Sequence, residues 1–208
     1  PTAPSATGTN AVAIGSDADA TATDSIAVGN RTNATGAAAS ALGVSSDATQ
    51  LNSSALGTDA WANGIGSITI GKGYSSGTGS LAAALDSFSA AYGSSGTNSI
   101  AIGQLAKATS TNSIAIGDAA TSSTANQIAL GGATDTVKIS TLHETVGTIT
   151  TGTIDLATGN VFADAPSANA TYVFSNPAAS GLANGFTLKI TPSATVTITW
   201  PASVDWAA

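Results

Sequence analysis

The side chains best suited to chemistry are few, and most of them recur at one kind of place. Asp17, Asp19, Asp47, Asp59 and Asp118 each follow a glycine within four residues. Paired carboxylates of this sort can hold Ca²⁺ or hydrolyse a glycosidic bond. Their spacing is regular along the chain rather than gathered into a site, and no Asp-rich stretch has the spacing of a calcium loop. They are therefore read as solvated turn residues that keep an alanine-rich chain soluble and its edges unpaired. His143 and Glu144 are the only histidine and the only glutamate. Neither has the local partners that a triad or a zinc site needs, so both are read as solvated residues of a neck. Three copies of His143 around a symmetry axis could hold a metal or sense pH. Gly71-Lys72-Gly73 has the glycines of a phosphate loop but not the Gly-Lys-Ser/Thr ending or the helix that must follow it. No catalytic residue, metal ligand or cofactor site is expected. The remaining candidates are Trp61, Tyr74, Phe88 and Tyr92, since aromatic rings stack on sugars and anchor recognition surfaces. Trp61 sits where other copies of the pattern carry smaller residues, so it is expected to project outward. The competing reading is that all four fill a core or an interface.

The glycines set the frame for these residues. They fall at Gly15, Gly29, Gly43, Gly57 and Gly71, and again at Gly103, Gly117 and Gly131, in steps of 14 within each series. Before them stand aliphatic pairs two residues apart: Val12 and Ile14, Ile26 and Val28, Ile68 and Ile70, Ile100 and Ile102, Ile114 and Ile116, Ile128 and Leu130. A spacing of two places each pair on one face of a strand, with the intervening residue, mostly Ala, on the other. Small residues three and five positions after the glycine (Ala18 and Ala20, Ala106 and Ala108) mark a second strand. Asn10, Asp24, Asn52, Asn98, Asn112 and Asn126 lie five before it, where a tight turn accepts a left-handed residue. One repeat reads as strand, glycine corner, strand, polar turn. Such turns stack into a β-solenoid. The stretch from Gly71 to Gly103 does not divide by 14 and reads as an insertion holding one degenerate turn at Leu81-Ala82-Ala83-Ala84.

Composition agrees. Of 208 residues, 8% are charged and 42% hydrophobic, the latter largely alanine, with no Cys or Met. The net charge of −7 and five scattered basic residues argue against nucleic acid as a partner. No apolar run is long enough for a transmembrane helix, and a first residue of Pro1 suggests a fragment. One thin rung buries roughly two aliphatics at about 1.5–3 kcal/mol each. Ordering its backbone costs about 1–2 kcal/mol per residue. The aliphatic rows should therefore face a core shared between chains, with the alanines packed inside each chain's own coil. Closed symmetric association is the ordinary solution.

Asn98-Ser99-Ile100-Ala101-Ile102-Gly103 and Asn112-Ser113-Ile114-Ala115-Ile116-Gly117 resemble the head repeats of YadA-type trimeric autotransporter adhesins, and the resemblance covers about residues 8–132. It implies a left-handed parallel β-roll with three chains around a threefold axis. Such repeats also occur in phage fibres. Residues 154–208 are richer in aromatics, and their alternation (Thr171 to Phe174, Phe186 to Ile190, Thr195 to Trp200) with turn signals at Asn176-Pro177 and Asn184-Gly185 predicts a small antiparallel β domain. Its aromatics are expected to be mostly core. Phrases such as Phe174-Ser175-Asn176-Pro177 and Thr199-Trp200-Pro201 resemble a β-rich module of phage tail-fibre proteins, usually followed by further strands, so the module is expected to be truncated at Ala208. The expected organisation is a roll over 1–132, a connector over 133–153 and this module over 154–208. An autotransporter stalk would be a heptad helix, and the one candidate, Ser140 to Val146, is too short. The combined resemblance implies a non-enzymatic homotrimeric fibre of a bacteriophage virion. Its expected partners are other virion proteins and a host-surface glycan or protein receptor. The alternative is the head of a bacterial surface adhesin.

Overall fold

The computed structural model describes residues 2–83, 91–140, 143–144, 146–177, 185–202 and 204. All regular structure among them is β, and no helix occurs. The chain divides into two compact units, Pro1–Lys138 and Ile139–Ala208.

The first unit is the expected solenoid. Two parallel sheets run its length, each of nine strands among the described residues. The front sheet takes the aliphatic strands in order: Val12–Ile14, Ile26–Val28, Ser40–Leu42, Ser54–Leu56, Ile68–Ile70, Leu81–Ala83, Ile100–Ile102, Ile114–Ile116 and Ile128–Leu130. The back sheet takes the alternate strands, from Ser5–Ala6 through Ala60–Ala62 and Gly73–Ser75 to Thr121–Ser122. Like residues stack on like: Ile100 on Ile114, Ala101 on Ala115, Ile102 on Ile116.

Among the described residues alanine alone makes the hydrophobic core of this unit. Ala27, Ala41, Ala55, Ala82 and Ala115 point inward from the front sheet, and Ala18, Ala20, Ala34, Ala48 and Ala108 lie in or beside the back sheet, all wholly buried. The two sheets are therefore too close for anything much larger. Thr69 replaces alanine in the front strand Ile68–Ile70, and its hydroxyl is satisfied by the Trp61 carbonyl at 2.8 Å and the Ser75 hydroxyl at 2.6 Å. The serine of the repeat has a structural task that the sequence did not disclose. Ser25, Ser53 and Ser99 are buried and donate to the carbonyl three residues back (Ala22, Gln50, Gly96), each at 2.7 Å, which ties the polar turn closed.

The corner glycines satisfy two constraints at once. Gly15 has φ of 120°, a region that side chains avoid. A Cβ there would also lie 2.2 Å from the Gly29 carbonyl oxygen of the next rung. The polar-turn residues are left-handed as expected, Asn10 and Asn112 having φ of 57° and 54°. A second left-handed position per rung, two residues after the glycine, was not expected. It is held by residues as unsuited as Leu105 and Ala119, with φ of 56° and 51°. Side-chain ladders join the turns: Asn98 donates to Asn112 at 3.3 Å, and Asn112 to Asn126 at 3.1 Å.

The described residues between Gly71 and Gly103 keep the pairing of the coil. Leu81 pairs with Ile68, thirteen residues earlier, and with Ile100, nineteen later, so the front sheet passes through without a break. One residue is missing at the Gly71 corner, and five are added between the strands Leu81–Ala83 and Gly93–Ser94.

The second unit corrects the antiparallel reading of residues 154–208. Among the described residues only Ile149–Thr150 and Thr153–Asp155 pair antiparallel. The other four pairings are parallel: Val146–Gly147 with Val161–Asp164, Val161–Asp164 with Thr187–Ile190, Thr153–Asp155 with Val173–Ser175, and Ala170–Thr171 with Ile198–Thr199. Alternation identifies strands but not their partners, and parallel pairing needs only that the chain travel out and back between strands. The strands at 146–150, assigned by sequence to the connector, pair within this unit. Its core is Ile154, Phe162 and Tyr172, all wholly buried. Trp200 stacks on Tyr172 with ring centroids 5.4 Å apart, whereas Phe186 is 39% exposed. Trp206 lies outside the described residues.

Candidate functional site

No described group of three or more His, Cys, Asp or Glu could hold a metal ion. His143 and Glu144 are both exposed. The features that stand out are two surfaces, one on each sheet of the solenoid.

The front sheet presents the aliphatic pairs outward. Val12, Ile14, Ile26, Ile68, Ile70, Ile102, Ile116, Ile128 and Leu130 are between 37% and 64% exposed in the single chain, while Val28, Ile100 and Ile114 are partly covered. Because the rungs are in register, these residues form two parallel apolar rows. The rows are not uniform. Ser40 and Ser54 replace the first aliphatic on two successive rungs, and Ala83 replaces the second on another. At Ala83 the shortened side chain leaves a recess of about 500 Å³ bordered by Ile70, Ile102, Gly103 and Gln104.

The back sheet presents a polar column, Asp19, Asn33 and Asp47 on successive rungs, which then changes to Trp61 and Tyr74. The two rings are 6.3 Å apart and tilted by 49°. Both are half-buried. Asp47 lies between Asn33 and Trp61 in this column. Its burial raises the carboxyl pKa above the ordinary value, partly countered by the Asn33 amide, which donates to Oδ1 at 2.6 Å. Lys72 and Asp59 approach to 4.0 Å on the adjoining corners, an exposed ion pair of little energetic weight. Of the four aromatics singled out by sequence, the structure brings Trp61 and Tyr74 together. Tyr92 is exposed in the turn before Gly93–Ser94, and Phe88 lies outside the described residues.

Elsewhere, carboxylates serve as turn ligands. The Thr2 hydroxyl and then its amide lower the Asp17 pKa. Asn176 and then the Ala157 amide lower that of Asp155, with Asn176 Nδ2 at 2.9 Å from Oδ1. Asp135 accepts from the Gly132 amide at 2.8 Å, beyond the last front strand. Tyr172 donates to Asp164 at 2.6 Å. Burial, reinforced by that carboxylate, pushes its phenol up to about 12.

No curated protein matches the chain. A family model, the YadA head domain repeat, matches residues 6–32, 34–60, 48–73, 94–120 and 108–134. These segments together cover more than half of the 208 residues. The gap between 73 and 94 coincides with the two rungs whose lengths are thirteen and nineteen. Such repeats on a β-solenoid point to a structural adhesin surface rather than a catalytic one. By the extent of that match and the alanine-cored coil beneath it, the chain belongs to the YadA head domain repeat family.

Proposed function

We propose that this chain is part of a homotrimeric attachment fibre of a bacteriophage virion, with the solenoid as its rod. The observation that carries the trimer is the pair of apolar rows. A coil whose interior holds only alanine, serine and other small residues has no place of its own for Ile14, Ile70 or Ile116, which are 58%, 46% and 41% exposed. Covering the exposed half of such side chains contributes about 1 kcal/mol each, repeated along nine rungs. Heads of this family assemble in threes, which gives the rows a common interior and turns the polar back sheets outward. In this arrangement Trp61 and Tyr74 lie on the outer surface, on the side where a host glycan or protein receptor would be met.

The virion reading is supported by the second unit, a β module whose Phe174-Ser175-Asn176-Pro177 and Thr199-Trp200-Pro201 phrases resemble those of phage fibre proteins. The family match itself favours a second reading, the head of a bacterial surface adhesin. In both the protein is displayed on a surface.

Native mass measurement of the full chain tests the assembly: a trimer is expected, converted to monomer by Ile70→Asp with Ile116→Asp. A wild-type chain that stays monomeric at micromolar concentration would sink the proposal. Immunogold labelling separates the two displays, since gold on purified phage particles supports the fibre and gold confined to the bacterial envelope supports the adhesin head.

A further inference from the structure

The regular rows have a defect as an interface. Each rung looks like the next, so two chains displaced by one rung, about 4.8 Å, would re-form most of the same contacts. A face with so short a repeat specifies register weakly, as uniform strands do.

Beyond Ser40, Ser54 and Ala83 within the rows, three apolar corner side chains break this repetition, close to the rungs that carry the two serines. Leu51 and Ile65 occupy the corner that enters the front sheet, on successive rungs joined by the Gly66 amide to the Leu51 carbonyl at 2.8 Å. The equivalent corner elsewhere holds threonine or alanine, as at Thr23 and Thr97. Val44 occupies the opposite corner, just after Gly43, where other rungs carry Asn30 and Thr58. Leu51, Ile65 and Val44 are 48%, 49% and 42% exposed. The apolar face is therefore thinned in its middle at Ser40 and Ser54, and widened at one edge by Val44 on the Ser40 rung and at the other by Leu51 on the Ser54 rung and Ile65 on the next. In a cyclic trimer one edge of each chain meets the opposite edge of the next.

We infer that these residues are a register key between copies of this chain: the Leu51–Ile65 edge of one copy seats against the Val44 edge of its neighbour. A one-rung slip would set Leu51 or Val44 against the threonine or asparagine of an ordinary rung. The partner is a second copy because the patch continues the front face that the trimer covers, and it occupies both edges that a closed ring must join. The inference rests on the trimer reading above.

The test compares the full-length wild type with Val44→Ser/Leu51→Thr/Ile65→Thr by sedimentation equilibrium. The replacements are of types that the same corners carry on other rungs, and circular dichroism checks that the coil is retained. The trimer–monomer midpoint is expected to move to a concentration higher by about tenfold or more, from the apolar area lost at three edges. A wild-type trimer whose midpoint is unchanged in the variant overturns the key while leaving the trimer standing. A wild-type monomer overturns both. Hydroxyl-radical footprinting gives a second reading on unmutated edges. Oxidation of Leu51 and Ile65 should fall at least threefold in the trimer relative to a chain held monomeric by Ile70→Asp with Ile116→Asp, and equal oxidation in the two overturns the key.

Discussion

Tyr74 lies directly beside Trp61 on the back sheet, yet it stands thirteen residues further along the chain, not fourteen. The residue lost at the Gly71 corner is absorbed without shifting the pairing, so two aromatics out of phase in sequence become neighbours in space. They end a column of Asp and Asn, and Asp47 is the last polar member before them.

This placement makes Asp47 a test of the pair. Its folded pKa is raised by burial. A carboxyl whose pKa is higher folded than unfolded binds its proton more tightly in the folded state, so its unfavourable effect is absent at low pH. It grows as pH rises through the unfolded and then the folded value. Asp47→Asn should therefore raise the melting temperature at pH 7 by about 1–2 °C and have no such effect near pH 3. Trp61→Ala should bring the Asp47 pKa back toward its ordinary value, read by carboxyl NMR titration; an unmoved titration would separate the two residues.

The corner glycines are predicted to be intolerant. In Gly29→Ala the new Cβ would face the Gly43 carbonyl oxygen at 2.3 Å, with φ at 146°. A loss of about 2 kcal/mol or more is expected in urea unfolding, because both backbone strain and a backbone clash must be relieved.

The opposite change should help two residues after a corner glycine. Ala119 has φ of 51° and is exposed. Ala119→Gly removes the left-handed strain, and a gain of up to about 1 kcal/mol is expected, less the extra freedom glycine gives the unfolded chain. A loss of stability would show that the Ala119 methyl carries packing that its exposure hides.

In the second unit Tyr172→Phe removes the donor to Asp164 and should cost about 1–2 kcal/mol. Fluorescence of the stacked Trp200 reports the transition. The raised phenol pKa gives a pH signature of definite sign. Its contribution is complete below the unfolded value of 10.0 and is lost as pH climbs to about 12. The wild type should lose stability across that window, and the phenylalanine variant should lack this part of the loss.

Much of the solenoid was legible because a strand has period two. Ile100-Ala101-Ile102 states which side chain enters a narrow coil and which stays outside, and the glycine interval states the rung. The Trp61–Tyr74 contact was obscured because a fourteen-residue frame puts Ser75, not Tyr74, opposite Trp61. The left-handed backbone at Arg31, Ser45, Leu105 and Ala119 left no trace, since stacking imposes it on whatever residue is present. The second unit was legible as strands and as aromatic core, with Phe162 and Tyr172 buried as expected. Its pairing was not, because Thr187–Ile190 finds Val161–Asp164 through parallel bonds that alternation cannot encode.

The alanine interior also bears on how such a chain can change length. Successive turns join by the same small contacts, so adding or removing whole fourteen-residue units would leave the flanking turns with the neighbours they already fit. The thirteen- and nineteen-residue turns lack this freedom. They act as a fixed landmark between two stretches that can grow, and related chains of different reach are expected to differ on either side of it while keeping it intact.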